Sequence, residues 1–359
     1  MRRTARILMV TATLSLMAEM NSAFAQSSVT LYGIVDSGVL YTSKTADAST
    51  GNNAGHQFAL ISGGMTPSLI GLKGAEDLGG GLKAIFALES GIDVSTGGFS
   101  DSNGFFFGRQ AWVGLQGEYG TVKAGLQYSP FVLSIISTDA RGVSYFGSIV
   151  PIYLDAVAVT GIFNANAVSY TSPTIGGFQG SAMLALGGGT NFQDGRQYSA
   201  SVNYTYGPAY VSVAMYSGNS GGGTAASTPA PSTVAFSGRT VGAGYRWDAL
   251  TLKVVFVNLK VAGGFDNRVF GGGGSYQLTP SLSADAGVWY TTDGNNSGNH
   301  SVLAATSVIY QVSRATSFYG QLGFVENHGA MRTGLSANGA LDGVPGGTVG
   351  VDVGIRHMF

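Results

Sequence analysis

Apolar and polar residues alternate one by one over the last stretch of the chain. Val349, Val351, Val353, Ile355, His357 and Phe359 fall on one side. Gly350, Asp352, Gly354 and Arg356 fall on the other, where Met358 is the one large apolar residue. Successive side chains of a strand point to opposite faces, so residues 347–359 read as a ribbon with one apolar and one wet surface. A water-soluble sheet shows the same alternation. The chain stops on an aromatic, however, which suits a strand whose outer face meets lipid with the ring at the membrane interface. This strand is expected to close a barrel.

The same pattern recurs from the start. Over residues 28–41, Val29, Leu31, Val35, Val39 and Tyr41 share a face and Asp36 lies on the other. Short turn-forming connections follow at 76–81, 117–120, 172–177, 206–208, 247–249, 278–281 and 313–316. In the first of them, Glu76-Asp77-Leu78-Gly79-Gly80-Gly81, the glycines supply the positive φ that close turns need. Longer Gly/Ser/Asn-rich stretches, such as 217–237 and 327–346, lie between the short turns. Seven short turns join seven strand pairs and leave one strand at each end, which predicts about 16 strands. The fold class expected is all-β, a transmembrane antiparallel β-barrel. A soluble β-solenoid would show a fixed short repeat, and none is found.

Composition agrees with that architecture. Charged residues make up 10% of the 359 residues, yet no apolar run approaches the length of a spanning helix. With 57 Gly, 17 Tyr and 19 Phe, the chain suits strands and tight turns. It holds no Cys, which decides little about its compartment. Arg2, Arg3 and Arg6, the apolar run from Ile7 to Met17 and Ala23-Phe24-Ala25 form an export signal, so residues 1–25 are expected to be removed and 26–359 to form the barrel. Removal takes away three Arg and one Glu and leaves 15 basic against 18 acidic residues. Nothing in that balance points to nucleic acid. In lipid every backbone polar group needs an internal partner, which a closed sheet supplies. At about 16 strands the interior is too wide for side chains to fill and holds water.

One connection breaks the pattern. Residues 129–165 carry Asp139, Arg141 and Asp155 among Phe131, Ile135, Tyr145, Phe146, Ile149 and Tyr153. A loop hanging in water has no use for so much apolar surface. Folded inward, it packs that surface on the wall and turns its charges to the lumen. An external lid or partner-binding loop is the alternative.

Several motifs, in this order and spacing, resemble the trimeric general diffusion porins of beta-proteobacterial outer membranes, and the resemblance spans the mature chain. They are Ser27-Ser28-Val29-Thr30-Leu31-Tyr32-Gly33-Ile34-Val35-Asp36, Gly71-Leu72-Lys73-Gly74 running into Glu76 to Ala84, and Gly108-Arg109-Gln110-Ala111. Gln127-Tyr128-Ser129-Pro130, Ser169-Tyr170-Thr171-Ser172-Pro173 and the final Val353 to Phe359 complete the set. The resemblance implies a 16-stranded homotrimer in the Gram-negative outer membrane, whose third external loop, here 129–165, folds inward to form an eyelet. It also implies passive diffusion of ions and small hydrophilic solutes. Expected surroundings are membrane lipid and lipopolysaccharide, with the barrel-assembly machinery acting on the strand that ends in Phe359.

The eyelet departs from the family pattern. Positions commonly occupied by Arg in anion-preferring members hold Leu69, Leu126 and Phe163, and Leu133 stands near the place of a family acid. Pore-lining charges are therefore expected from Arg109, Lys73 and Arg141, opposed by Asp139 and Asp155. Their local balance is near neutral, so weak charge selectivity is expected.

An enzyme is not expected. His56, His300, His328 and His357 read as scattered, three in external loops and one in the closing strand. No G-x-S-x-G, H-E-x-x-H, G-x-x-x-x-G-K or G-x-G-x-x-G motif is present, and no cofactor or metal is called for. An adhesin or receptor acting through the long loops is the rival function.

Overall fold

Alternation over every predicted strand closes the sheet on itself. The computed structural model describes residues 28–157, 161–221 and 235–359. The export signal expected at 1–25 and most of the loop expected at 217–237 lie outside the described residues. The wall begins with β1 (Ser28–Thr42), β2 (Gln57–Ser62), β3 (Leu69–Gly79), β4 (Leu82–Gly91), β5 (Gln110–Gly117) and β6 (Gly120–Tyr128). It continues with β7 (Phe163–Thr171), β8 (Phe178–Ala185), β9 (Gln197–Tyr206), β10 (Ala209–Gly218), β11 (Phe236–Trp247) and β12 (Leu250–Val261). Then come β13 (Asp266–Thr279), β14 (Leu282–Asp293), β15 (His300–Gln311) and β16 (Thr316–His328). A small hairpin, β17 (Thr333–Ser336) and β18 (Ala340–Asp342), precedes the closing β19 (Gly346–Met358).

All pairings in the wall are antiparallel, and β19 joins β16 on one side and β1 on the other. β2 and β3 both pair with β1, as two parts of one stave interrupted at residues 63–68. Seventeen strands therefore make a wall of sixteen staves. Each of the seven predicted turns joins neighbouring strands, and Gly79, Gly80 and Gly81 take φ of 85, 60 and 79° at the first. Among the described residues no helix is long and apolar enough to cross a membrane; the strands do so.

The two faces separate as the pattern predicts. On β19, Asp352 is fully buried while its neighbour Val353 is 58% exposed. At the short-turn end, Tyr119, Tyr206, Trp247, Tyr276 and Tyr310 stand exposed, as an aromatic girdle requires.

The inner face departs from a simple wet tube. Of the loop expected at 129–165, residues 129–157 and 161–165 are described; they fold inward as expected, but with two helices, Pro130–Thr138 and Ile149–Val157. Ser129 caps the first, its Oγ accepting from the Val132 N–H at 3.2 Å, and Pro130 opens the helix without losing a needed donor. Its buried face, Phe131, Ser134, Ile135 and Thr138, lies on β9 to β11. Gly238 and Gly242 make room there: a Cβ at either would collide with Phe131 or Thr138. The stretch 327–346, expected as a long external loop, also folds inward. Gly147 N–H donates to Leu335 O at 2.7 Å and Ala337 N–H to Tyr145 O at 2.8 Å. Phe146, Ile149 and Leu335 then form a dry core with the inward-facing Val257, Val269, Trp289, Leu303 and Val325. Fully burying each such side chain stabilises by about 1.5–3 kcal/mol, which holds both insertions against the wall.

One aromatic contact finishes the seam that β1 and β19 make. Phe359 N–H donates to Gly33 O at 3.1 Å, and Gly33 N–H to Phe359 O at 3.0 Å. The half-exposed ring covers Gly33, where any Cβ would strike it. Gly33→Val and Phe359→Ala are each expected to weaken the seam by about 1–2 kcal/mol and to lower the fraction of barrel that resists unfolding in cold detergent on a gel. Undiminished resistance in both variants would contradict this role of the ring.

Candidate constriction site

Arg109 enters β5 behind the 92–108 loop and is 5% exposed. Its Nε donates to Glu89 Oε1 at 2.8 Å, its Nη2 to Tyr128 Oη at 2.8 Å and its Nη1 to the Asp101 carbonyl at 3.4 Å. The guanidinium also lies 5.3 Å over the Phe163 ring. Phe163, where the resemblance led us to expect another arginine, thus serves as a platform under this one. A buried pair of this kind is costly to break from one side, because the remaining charge is left uncompensated.

Arg141 bolts the loop to the opposite wall. It is 6% exposed and donates from Nε to Asp285 Oδ1 on β14 at 2.6 Å, and from Nη2 to Gln321 Oε1 on β16 at 2.8 Å. Its Nη1 reaches the carbonyls of Phe146 and Gly147 at 2.7 and 2.8 Å. Asp139, fully buried at the end of the first helix, accepts the backbone N–H groups of Arg141, Val143 and Ile149 at 3.1, 2.7 and 3.4 Å. Burial raises its carboxyl above the ordinary range while those amides oppose the rise. Asp139 and Arg141 therefore shape and fix the loop from within.

Two expected residues keep contact with water. Lys73 is exposed, 5.2 Å over the Tyr32 ring, whose hydroxyl donates to Glu89 Oε2 at 2.9 Å. Asp155 is half-buried on the second helix, where burial and then Asp342 push its carboxyl up to about 7 against the pull of Arg332. The structure thus brings Lys73 and Arg109 to one network around Glu89, and places Arg141, Asp139 and Asp155 apart from it.

Sequence reasoning missed the partners. Glu89, in register with Gln110, falls inward by simple alternation along β4 and was the signal available. Lys123, 4.2 Å over Trp112, adds a further inward cation by the same rule. Leu126 pairs with Ala111 beside the exposed Val113 and Leu115, so it faces outward and takes no part in the eyelet. The histidines are not all scattered: His300 and His328 pair across β15 and β16 with ring centroids 4.4 Å apart. Distant in sequence, they meet because the register sets them opposite. Among the described residues no group of three or more His, Cys, Asp or Glu is arranged to hold a metal.

Comparison with known proteins follows the same lines. The sequence profile of the Gram-negative porins matches residues 11–330. Outer membrane porin protein 32 of Delftia acidovorans is 30% identical, over 96% of this chain and 98% of that protein. An outer membrane porin protein of Bordetella pertussis is 27% identical over 94% of this chain and 96% of its own length. Among solved structures, an anion-selective porin from Comamonas acidovorans superposes with a TM-score of 0.79 at 28% identity, covering 93% of this chain and all of that one. OmpT of Vibrio cholerae, in its trimer form, shares the fold at a TM-score of 0.66 and 16% identity, covering 93% of this chain and 99% of that one.

The Asp155 carboxyl makes the docking of the second helix depend on pH. Its folded pKa is raised, so the folded state holds a proton that the unfolded state releases. Stability from this group is full below the ordinary carboxylate range and is lost as pH rises through about 7. Amides of 149–157, corrected for intrinsic rate, are expected to exchange faster at about pH 8 than at about pH 5, and Asp155→Asn to remove the difference. Equal protection in the wild type at both values would contradict it.

Proposed function

The chain belongs to the Gram-negative porin family, and from that premise we propose a channel whose charge selectivity is weak. The barrel is an outer-membrane pore for passive diffusion of small solutes and not an enzyme. One observation carries the selectivity proposal: both guanidiniums at the inserted loop are matched by carboxylates, Arg109 by Glu89 and Arg141 by Asp285. A close pair acts on a passing ion as a dipole, whose field falls off faster than that of a free charge. Lys73 and Lys123 remain on the wall, but a single charge in a wet lumen is worth about 1 kcal/mol at ~4 Å and less in salt. The Comamonas relative bears the name anion-selective. That property is not transferred, because Leu69 and Phe163 stand here where cations are expected of such a member.

The remaining assignments belong to the same proposal. Residues 1–25 serve as an export signal, and three copies of the mature chain assemble as a homotrimer, as the trimer form of the Vibrio relative suggests. The strand ending in Phe359 is the segment offered to the assembly machinery. Outer-leaflet lipopolysaccharide is favoured by two outward-facing cations set level by the register, Arg239 and Arg268, on either side of Asn258. Native mass spectrometry is expected to find trimers carrying this lipid, and fewer of them loaded after Arg239→Ser and Arg268→Ser.

Selectivity is read from the reversal potential in a tenfold KCl gradient. The cation-to-anion permeability ratio is expected within about fivefold of one. Glu89→Gln, which removes the carboxylate that the Arg109 Nε bonds, moves it toward anions, and Arg109→Ser moves it toward cations. A strongly anion-selective wild type, or two variants that leave the potential fixed, would refute the proposal.

A further inference from the structure

Between the two loop helices and the wall at the start of β5 and β7 lies a cavity of about 150 Å³. Val132, Ile135, Ile136, Ile149, Val150 and Phe163 form its sides. Diffusion of hydrophilic solutes makes no use of such a lining, and water gains few partners against it. Cavities of this size walled by aliphatic and aromatic groups accept a benzene-sized molecule. Ile136 and Gly142, both exposed, stand at its mouth toward the lumen.

One end of the cavity is polar and carries unbalanced charge. Arg109, Asp101, Tyr128 and Tyr145 meet there. The guanidinium is matched by Glu89, and it touches Asp101 only through the backbone carbonyl. The Asp101 carboxylate is held by two neutral donors, Tyr145 and Asn338, and burial raises it above the ordinary carboxylate range despite Arg109. Two carboxylates therefore face one cation, and a half-buried negative charge in excess calls for a positive partner. Lys73 does not supply it, being exposed over the Tyr32 ring and no part of the cavity lining. Asp101 is also held at φ 52°, a left-handed backbone that non-glycine residues rarely keep unless the surroundings impose it.

We propose that this cavity binds small amphipathic cations, with a benzene-sized body between Ile136 and Val150 and an ammonium at Asp101. A sugar would strand its hydroxyls on aliphatic walls, and an organic anion would add to the negative excess. The inference rests on the porin reading in one respect, since the solute reaches the mouth from the lumen. It makes the inserted loop a recognition element for a class of solute as well as a constriction.

Phenethylammonium, phenethyl alcohol and phenylpropionate share the apolar body and differ in the head group. In planar bilayers phenethylammonium is expected to interrupt the current of the open channel at concentrations about tenfold below those needed for phenylpropionate, the discrimination worth one modest charge contact. Asp101→Asn is expected to abolish the difference between cation and anion. Ile136→Trp, at an exposed position that tolerates the larger ring, is expected to weaken all three by filling the mouth. Calorimetric titration of the detergent-solubilised protein with the same probes reads the site without conduction. Binding of phenethylammonium with no channel activity would sustain the site and overturn the pore. Conduction without interruption or heat of binding, or equal affinity for cation and anion, would overturn the site.

Discussion

Each peptide group that crosses a lipid bilayer must find its hydrogen-bond partner within the protein, and the rest of this structure answers to that requirement. A helix satisfies it locally; a sheet satisfies it only by closing. Closure here is made by β1 and β19, in register from Ile34 opposite Met358 to Thr42 opposite Gly350, with Gly33 and Phe359 extending the pairing by one step. Once the sheet closes, one face of every strand meets lipid and the other meets the interior. The strict two-residue alternation then follows as a consequence rather than as a separate feature.

Sixteen staves enclose more space than their own side chains fill. The chain fills part of it with the two loop helices and the β17–β18 hairpin, which pack on each other and on the inner wall of β9 to β16. Apolar burial supplies the attraction, and glycines such as Gly238 and Gly323 supply the room that Phe131 and Phe146 occupy. Arg141 and Arg109 add direction. Each is buried with a carboxylate, so neither leaves an uncompensated charge in the dry region, and both fix position more than they contribute net stability. The same pairing removes them as free charges from the path of ions.

Much of the fold was legible in the sequence. The alternation through Val349, Val351 and Val353, the glycine turn at 79–81 and the apolar residues Phe131, Phe146 and Ile149 each pointed to what is observed. The first loop helix was legible in principle, since Ser129-Pro130 is an N-cap followed by a proline at the first helical position. The inward course of 327–346 was hidden because its large apolar residues, Met331, Leu335, Leu341 and Val344, are few and set among glycines. The candidate site was legible by residue but not by role. Lys73, Arg109, Arg141, Asp139 and Asp155 could be named, whereas their partners depend on register and on where a loop lands. Glu89 lies twenty residues before Arg109 and Asp285 lies far beyond Arg141. No local pattern announces either pairing, nor the meeting of His300 with His328.

The central claim is that the first loop helix is a fixed lining of the pore rather than a lid that leaves it. Ser134 Oγ on that helix lies 2.6 Å from Ser212 Oγ on β10, with both side chains buried. Cysteines at these two positions would be the only ones in the chain, which has none of its own. A Ser134→Cys, Ser212→Cys variant is expected to form the disulfide during folding and to show the same single-channel conductance before and after reduction. Failure of the bond to form, or a conductance that changes when it is reduced, would contradict a loop permanently seated on the wall.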